Sequence, residues 1–303
     1  MKTGLLCLAL ALPAYGAEIL PVIDAHSQFD DRTPVAQVLE HAARAGVSQV
    51  LLSARGRVTP AQVIELASRH PGCVVASVRT KGRAELDEQK QPEFRAMSEI
   101  ILVHAAKGRR APEVNVPADS PHVEEAIRHA IARGWPVVLH YELRWLAGAR
   151  GSGARDKRMA ELNALLARHP QQPFALIHMA QLDPGPAATL LERHRNVFFL
   201  TSHANTLAVH ESRQPWTDMF SGEALAQPWQ ALMLRYPGRF VLALDNVWPD
   251  HWSERYAEQV ELWRKALGKL PAEVAHAVAH GNAERLWKLP PAVAGSGCAA
   301  LAR

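Results

Sequence analysis

Six places in this sequence put metal-binding or proton-carrying side chains at the ends of short apolar runs. Asp24-Ala25-His26 closes the first run, His104 follows the fourth, His140 ends the fifth and His178 ends the sixth. His203 lies two residues past the seventh run, and Asp245 ends the eighth. Imidazoles and a carboxylate suit zinc or another divalent transition metal. Such an ion draws the pKa of a bound water toward neutrality, and a neighbouring carboxylate can take and return the proton. A single strand-end histidine is equally well a hydrogen-bonded residue at a core edge. The chain has 15 histidines, and those in helical segments, such as His41, His70 and His129, read as surface or capping residues. Five histidines on one rim beside an aspartate read as a site.

A rim of that kind needs strands to build it. Strand-like runs occur at 19–24, 49–53, 73–78, 100–103, 136–140, 174–178, 197–201 and 240–245. Segments 34–45, 60–70, 122–133, 158–169, 187–194 and 222–236 carry helical periodicity. Thr33-Pro34 and Thr59-Pro60 offer a capping hydroxyl before a proline at the first helical position. Gly46 and Gly134 sit just past helix ends. Eight apolar runs, nearly all separated by a helix, predict a parallel α/β sheet closed into a (β/α)8 TIM barrel over residues 18–290. The C-terminal ends of all eight strands then share one face, which brings distant histidines together. Three long irregular pieces, 107–119, 147–156 and 204–221, follow strands and fall on that face. No Gly-x-Gly-x-x-Gly follows a strand, which counts against a dinucleotide fold.

Composition narrows the class further. Hydrophobic residues make up 48% and charged residues 21%, as in a globular domain. The net charge of +4 comes from 34 basic and 30 acidic residues without a like-charge run, so nucleic acid is not indicated as a partner. At the N-terminus, Lys2 precedes the apolar stretch from Leu5 to Leu12, and Ala14-Tyr15-Gly16 supplies small residues for cleavage. Residues 1–17 therefore read as a signal peptide, with the mature protein periplasmic or secreted and not held in a membrane. Cys73 reads as a small core residue, and Cys298 lies in a Gly/Ala-rich tail, 291–303, expected to be disordered. A disulfide is permitted outside the cytoplasm, but the spacing does not demand one.

Further residues on the rim are candidates for substrate contact. Lys107 would pair with a carboxylate or phosphate, or simply sit in water. Glu142, two residues past His140, points to the same side and reads first as an acceptor that orients a histidine, second as a ligand. His104, His203 and Asn205 lie beside the site, and Trp248, with Pro249 and Trp252, walls it. No Gly-x-Ser-x-Gly or cysteine motif marks a nucleophilic triad.

Ile23-Asp24-Ala25-His26, the strand-ending His140 and His178, Leu244-Asp245 and Gly281-Asn282-Ala283-Glu284-Arg285-Leu286-Trp287 occur in this order. Together they resemble the amidohydrolase-related family, in the branch of aminocarboxymuconate-semialdehyde decarboxylase-like enzymes, over about residues 19–289. The resemblance implies a zinc-type divalent metal on His26 and His140. His178 would complete the metal site or act beside it as acid/base, and Asp245 would bind metal and carry the proton of its water. The family usually begins with His-x-His, whereas this chain has His26-Ser27-Gln28. A neutral amide oxygen is a weaker zinc ligand than imidazole. Three readings follow: Gln28 ligates weakly, the metal rests on His26, His140 and Asp245 with or without His178, or the metal is lost. The function implied first is hydrolysis of a small ester, lactone or amide through a metal-bound water. Non-oxidative decarboxylation needs the same ligands and stands second. An exported binding protein with a decayed metal site is the reading from another class. The partner is a small-molecule substrate in the enzyme readings, and a homodimer is allowed for.

Overall fold

The computed structural model describes residues 19–80, 85–108, 111–212 and 214–302, so the expected signal peptide at 1–17 lies outside the described residues. In chain order the strands are β1 (Ile23–Phe29), β2 (Gln49–Ala54), β3 (Val74–Val78), β4 (Ala96–Met97), β5 (Ile100–His104) and β6 (Val114–Asn115). They continue with β7 (Val137–Tyr141), β8 (Phe174–Leu176), β9 (Val197–Leu200), β10 (Phe220–Ser221), β11 (Ala224–Leu225) and β12 (Phe240–Val241). Strands β1 to β4 pair in parallel in sequence order, and β5, β7, β8, β9 and β12 do the same.

Two joints turn these sheets into one barrel. β4 and β5 are halves of one strand, broken at Ser98-Glu99, with β4 pairing to β3 and β5 to β7. The seam between β12 and β1 is closed by backbone bonds. Ala25 N–H donates to the Leu242 carbonyl at 3.1 Å, Asp245 N–H to His26 at 2.7 Å and Gln28 N–H to Asn246 at 2.7 Å. The fold is thus a (β/α)8 barrel. Every residue of β2, β7, β8 and β9 is buried, as expected where barrel side chains fill one face and helices cover the other.

Helices form in the six expected segments, at Val35–Arg44, Pro60–Arg69, Pro121–Arg133, Ser152–Arg168, Pro184–Arg193 and Gln227–Arg235. The last starts late because Ala224–Leu225 pairs with Phe220–Ser221 as a hairpin. Thr59 caps the second through a reciprocal pair with Gln62, and Gly134 ends the third at φ 64°, a conformation that costs glycine little. Thr33 does not cap the first, because its hydroxyl turns back to Asp30 and Pro34 takes the cap position. Segment 147–156 is helical rather than irregular: Leu143–Arg150 and Ser152–Arg168 meet at Gly151. Glu254–Leu267 forms a further helix, capped by Ser253.

Three other details depart from the sequence reading. β1 starts at Ile23 instead of residue 19 and runs past His26 to Phe29, with a register shift between Asp24 and Ser27. β8 stops at Leu176, and His178 begins a left-handed turn. The tail is also ordered through residue 302. Cys298 is disulfide-bonded to Cys73, and the Cys298 and Ala299 N–H groups each donate at 2.9 Å to the carbonyls of Ser48 and Val47. These anchors lie at the strand starts, opposite the rim. Gly297 permits the approach, since a Cβ there would lie 1.9 Å from the Ser48 carbonyl oxygen. Among the described residues no helix is long and apolar enough to cross a membrane.

Candidate active site

Asp245 sits at the floor of a cavity of about 70 Å³ at the C-terminal ends of the strands. His26 Nδ1 lies 3.3 Å from its Oδ1, and His203 Nε2 and His178 Nε2 lie 3.3 and 3.5 Å from its Oδ2. The Gln28 amide donates to Oδ1 at 3.0 Å. Burial would raise the Asp245 carboxyl, but His26 and His203 outweigh it and hold the group well below its ordinary value. Burial, joined by the charge of His140, pushes His178 well below the usual imidazole range. His178 Nδ1 faces the Ser202 carbonyl at 3.2 Å, which places its proton there and turns the Nε2 lone pair toward Asp245.

The backbone holds this cluster in unusual conformations. His178, Met179, Ala180 and Gln181 have φ between 51° and 55°, and His203 and Asp245 have φ of 54° and 55°. Left-handed backbone costs a non-glycine residue roughly 1–2 kcal/mol. Surrounding bonds fix the first turn: Gln181 Oε1 accepts from Trp145 N–H at 2.9 Å, and the Thr217 hydroxyl donates to the Leu182 carbonyl at 2.9 Å. Strain of this kind collects where it aims side chains into sites. Asp24 steadies the floor from behind. It accepts from the Ser27 hydroxyl at 2.6 Å, Leu244 N–H at 3.0 Å and the Tyr256 hydroxyl at 3.0 Å. Burial still lifts its carboxyl to about 6.

A second cluster lies alongside. The His140 ring is held between two carboxylates, Nδ1 to Glu99 at 2.7 Å and Nε2 to Glu142 at 3.1 Å. Burial alone would lower this imidazole, but the two carboxylates raise it. Glu142 also accepts from the Lys107 ammonium at 2.8 Å and from Ala105 N–H at 2.7 Å. Burial works to raise the Glu142 carboxyl, but His140 and Lys107 drive it far down. His104 packs edge-on to His140, and burial, then the charges of His140 and Lys107, brings it down to about 4. Gln28 joins the clusters, because its amide also donates to Glu99 at 3.3 Å.

Most of the sequence-predicted residues converge here. Gln28, His104, Lys107, His140, His178, His203, Asp245 and Trp248 line the cavity, with His26 against Asp245 and Glu142 against His140. Asn205 does not line it: Oδ1 caps Ala208 N–H and Nδ2 donates to Gln259, so the side chain is structural. Trp252 lies behind the wall, its indole N–H donating to the Gln28 carbonyl at 2.9 Å. Three residues had escaped the sequence reading. Glu99 looked like the approach to a strand beginning at Ile100, but the break at Ser98-Glu99 lies mid-strand and aims it inward. Arg55 directly follows the end of β2, so its position at a strand end is the signal that places it on the rim. Trp216 packs against His178 and His203 with ring centroids 4.5 and 5.2 Å away, and only the folded loop brings it there.

The donor set fits a divalent ion in one cluster. Ligand atoms of His178, His203 and Asp245 lie within 4.8 Å of one another, two imidazoles and a carboxylate, with His26 adjoining. Three protein ligands with room for a further one is the pattern of hydrolytic zinc sites. His104, His140 and Glu142 are equally close, but Lys107 and the two carboxylates already neutralise that group.

The family model for amidohydrolases matches residues 20–289. The chain belongs to the amidohydrolase family. Membership makes it an enzyme. No curated protein matches it. An uncharacterised TIM-barrel protein from Bordetella bronchiseptica superposes with a TM-score of 0.60 at 13% identity, over 89% of this chain and 99% of that one. A probable 2-pyrone-4,6-dicarboxylic acid hydrolase from Acinetobacter baumannii, with citric acid bound, gives 0.54 at 14%, over 88% and 99%. An amidohydrolase from Burkholderia multivorans with bound zinc gives 0.54 at 16%, over 89% and 99%. At these identities the likeness concerns the fold.

Proposed function

We propose that this amidohydrolase hydrolyses a small ester, lactone or amide, with Asp245 as proton carrier and a divalent ion, zinc first, held by Asp245, His178 and His203 beside His26. The observation that carries the reading is the cluster around Asp245: a buried, ionised carboxylate faced by three imidazoles at the floor of a cavity. The ion, when bound, supplies Lewis acidity to a carbonyl and to a water. Asp245 Oδ1, within 3.0 Å of the Gln28 amide, is oriented by it, and the carboxylate takes the proton from an attacking water and returns it to the leaving group. His178, its Nδ1–H turned to Ser202, keeps its lone pair on the reacting side. His140, with both ring nitrogens taken by Glu99 and Glu142, borders the site 4.8 Å in ring separation from His178 and helps fix its wall. Trp216 and Trp248 restrict water at the walls.

Purified protein loaded with zinc and assayed on aryl esters, lactones and aromatic acids tests the reading. Hydrolytic product that disappears in Asp245→Asn is expected. Carbon dioxide release without hydrolytic product would replace hydrolysis by decarboxylation. Wild type that takes up no stoichiometric transition metal after reconstitution would favour a binding protein. Export belongs to the same proposal, supported by the signal-like N-terminus and the Cys73–Cys298 bond, which suits an oxidising compartment. A fusion of Met1–Ala17 to a reporter that stays in the cytoplasm would contradict it.

A further inference from the structure

Arg55 leaves the end of β2 and reaches the same cavity as Asp245. Its guanidinium lies 4.2 Å from the centroid of the Trp248 ring, a face that fixes a planar cation without consuming its donors. Nη1 is buried and has no hydrogen-bond partner among the described residues. A buried guanidinium donor left unpaired is costly, so a site that keeps one is built for an acceptor that arrives from outside.

The nearby carboxylates are committed elsewhere. Asp245 is faced by His26, His178 and His203, Glu99 holds His140, and Asp30 pairs with Arg32. Lys107 across the cavity is bound to Glu142 at 2.8 Å and lies over Trp216. The two cations therefore differ: Lys107 is neutralised by its own protein, and Arg55 feels Asp245 and Glu99 without bonding to either. Burial lowers the Arg55 pKa, as it does for a cation short of a close counter-charge. A planar fork of N–H groups matches a carboxylate in particular.

We infer that Arg55, braced by Trp248, is the anchor for a carboxylate on the substrate, so that this enzyme acts on small carboxylate-bearing molecules. The inference rests on the hydrolase reading only for what happens to the substrate, not for how its anion is held. With the anion against Arg55, the rest of the molecule extends over the floor formed by Asp245, His178 and His203. Substrates lacking the anion leave the guanidinium unpaired and lose affinity.

The test is binding, independent of turnover. Acetate, succinate and benzoate, each against its own primary amide, are titrated by calorimetry into zinc-loaded and chelator-treated wild type, Arg55→Gln, Arg55→Lys and Asp245→Asn. At least one acid is expected to bind wild type about ten-fold or more tightly than its amide, with the preference lost in Arg55→Gln and partly kept in Arg55→Lys. The preference should persist without zinc and in Asp245→Asn, where hydrolysis is gone. Acid no tighter than amide in wild type overturns the inference, with no variant needed. A preference that survives Arg55→Gln, or that vanishes with zinc alone, overturns it also. Circular dichroism accompanies each variant, and should Arg55→Gln fail to fold, a preference undiminished in Trp248→Leu and Arg55→Lys counts against the anchor.

Discussion

The two groups of ionisable residues under the cavity use similar side chains and reach opposite electrostatic ends. Around Glu99 and Glu142, two carboxylates meet two cations, His140 and Lys107, and the charges close among themselves. Around Asp245, one carboxylate meets three imidazoles, of which His178 is pushed by burial toward its neutral form. The first group is complete as folded. The second sets an ionised carboxylate beside the neutral His178, whose lone pair is turned inward, an environment a divalent cation stabilises. Ligand-type residues at close spacing are therefore not enough to mark a metal site; the charge balance decides between two groups that geometry alone leaves equal.

Breaking each group in turn should separate them. The largest effect is expected for Asp245→Asn, which removes both the anion and the proton carrier. Turnover on a responsive ester should fall by roughly 10²–10⁴ or more, measured as kcat, with the folded state retained. Glu142→Gln attacks the closed group instead. It leaves Lys107 and His140 facing one carboxylate, and breaking a buried pair costs about 3–5 kcal/mol. Urea unfolding should show that loss while zinc binding stays. Unchanged stability with zinc lost would reverse the two roles.

The disulfide is a useful contrast because it lies at the other end of the barrel. Its sequence separation is 225 residues, and Cys298→Ser should lower stability by about 2–5 kcal/mol. Turnover at low temperature should not change, since Ser48 and Gly297 are remote from the rim. The smallest effect is expected for Gln28→Leu, which removes the amide that donates to both Asp245 and Glu99. Its cost of about 1–3 kcal/mol in unfolding should be non-additive with Glu99→Gln in a double-mutant cycle, because one amide serves both groups.

How much of this was legible in the sequence follows from what each feature depends on. The barrel was visible because buried parallel strands must be apolar along their whole length, and the spacing of such runs survives without a structure. The convergence of His104, His140, His178, His203 and Asp245 followed from the same rule, since strand ends share a face. The partnership of His140 was not visible. It is set by Glu99, whose inward aim depends on a break inside a strand, and no residue type announces that break. The left-handed turn at His178 was equally hidden, because Ile177-His178-Met179-Ala180 contains no glycine to signal it. Gln28 was noticed as a departure, but its role came from its surroundings. With carboxylates on both sides, the amide nitrogen faces them and donates to both. The tail misled for a related reason: Gly297 and the small residues around it read as disorder, whereas their size is what lets the chain lie against Ser48.

Metal content per chain tests the central claim most directly. Zinc-loaded, dialysed protein should carry one ion by elemental analysis. That ion should be lost in Asp245→Asn and kept in Glu142→Gln and His104→Ala. Two ions per chain, or one ion that survives Asp245→Asn and disappears in Glu142→Gln, would contradict the assignment of the open and closed groups.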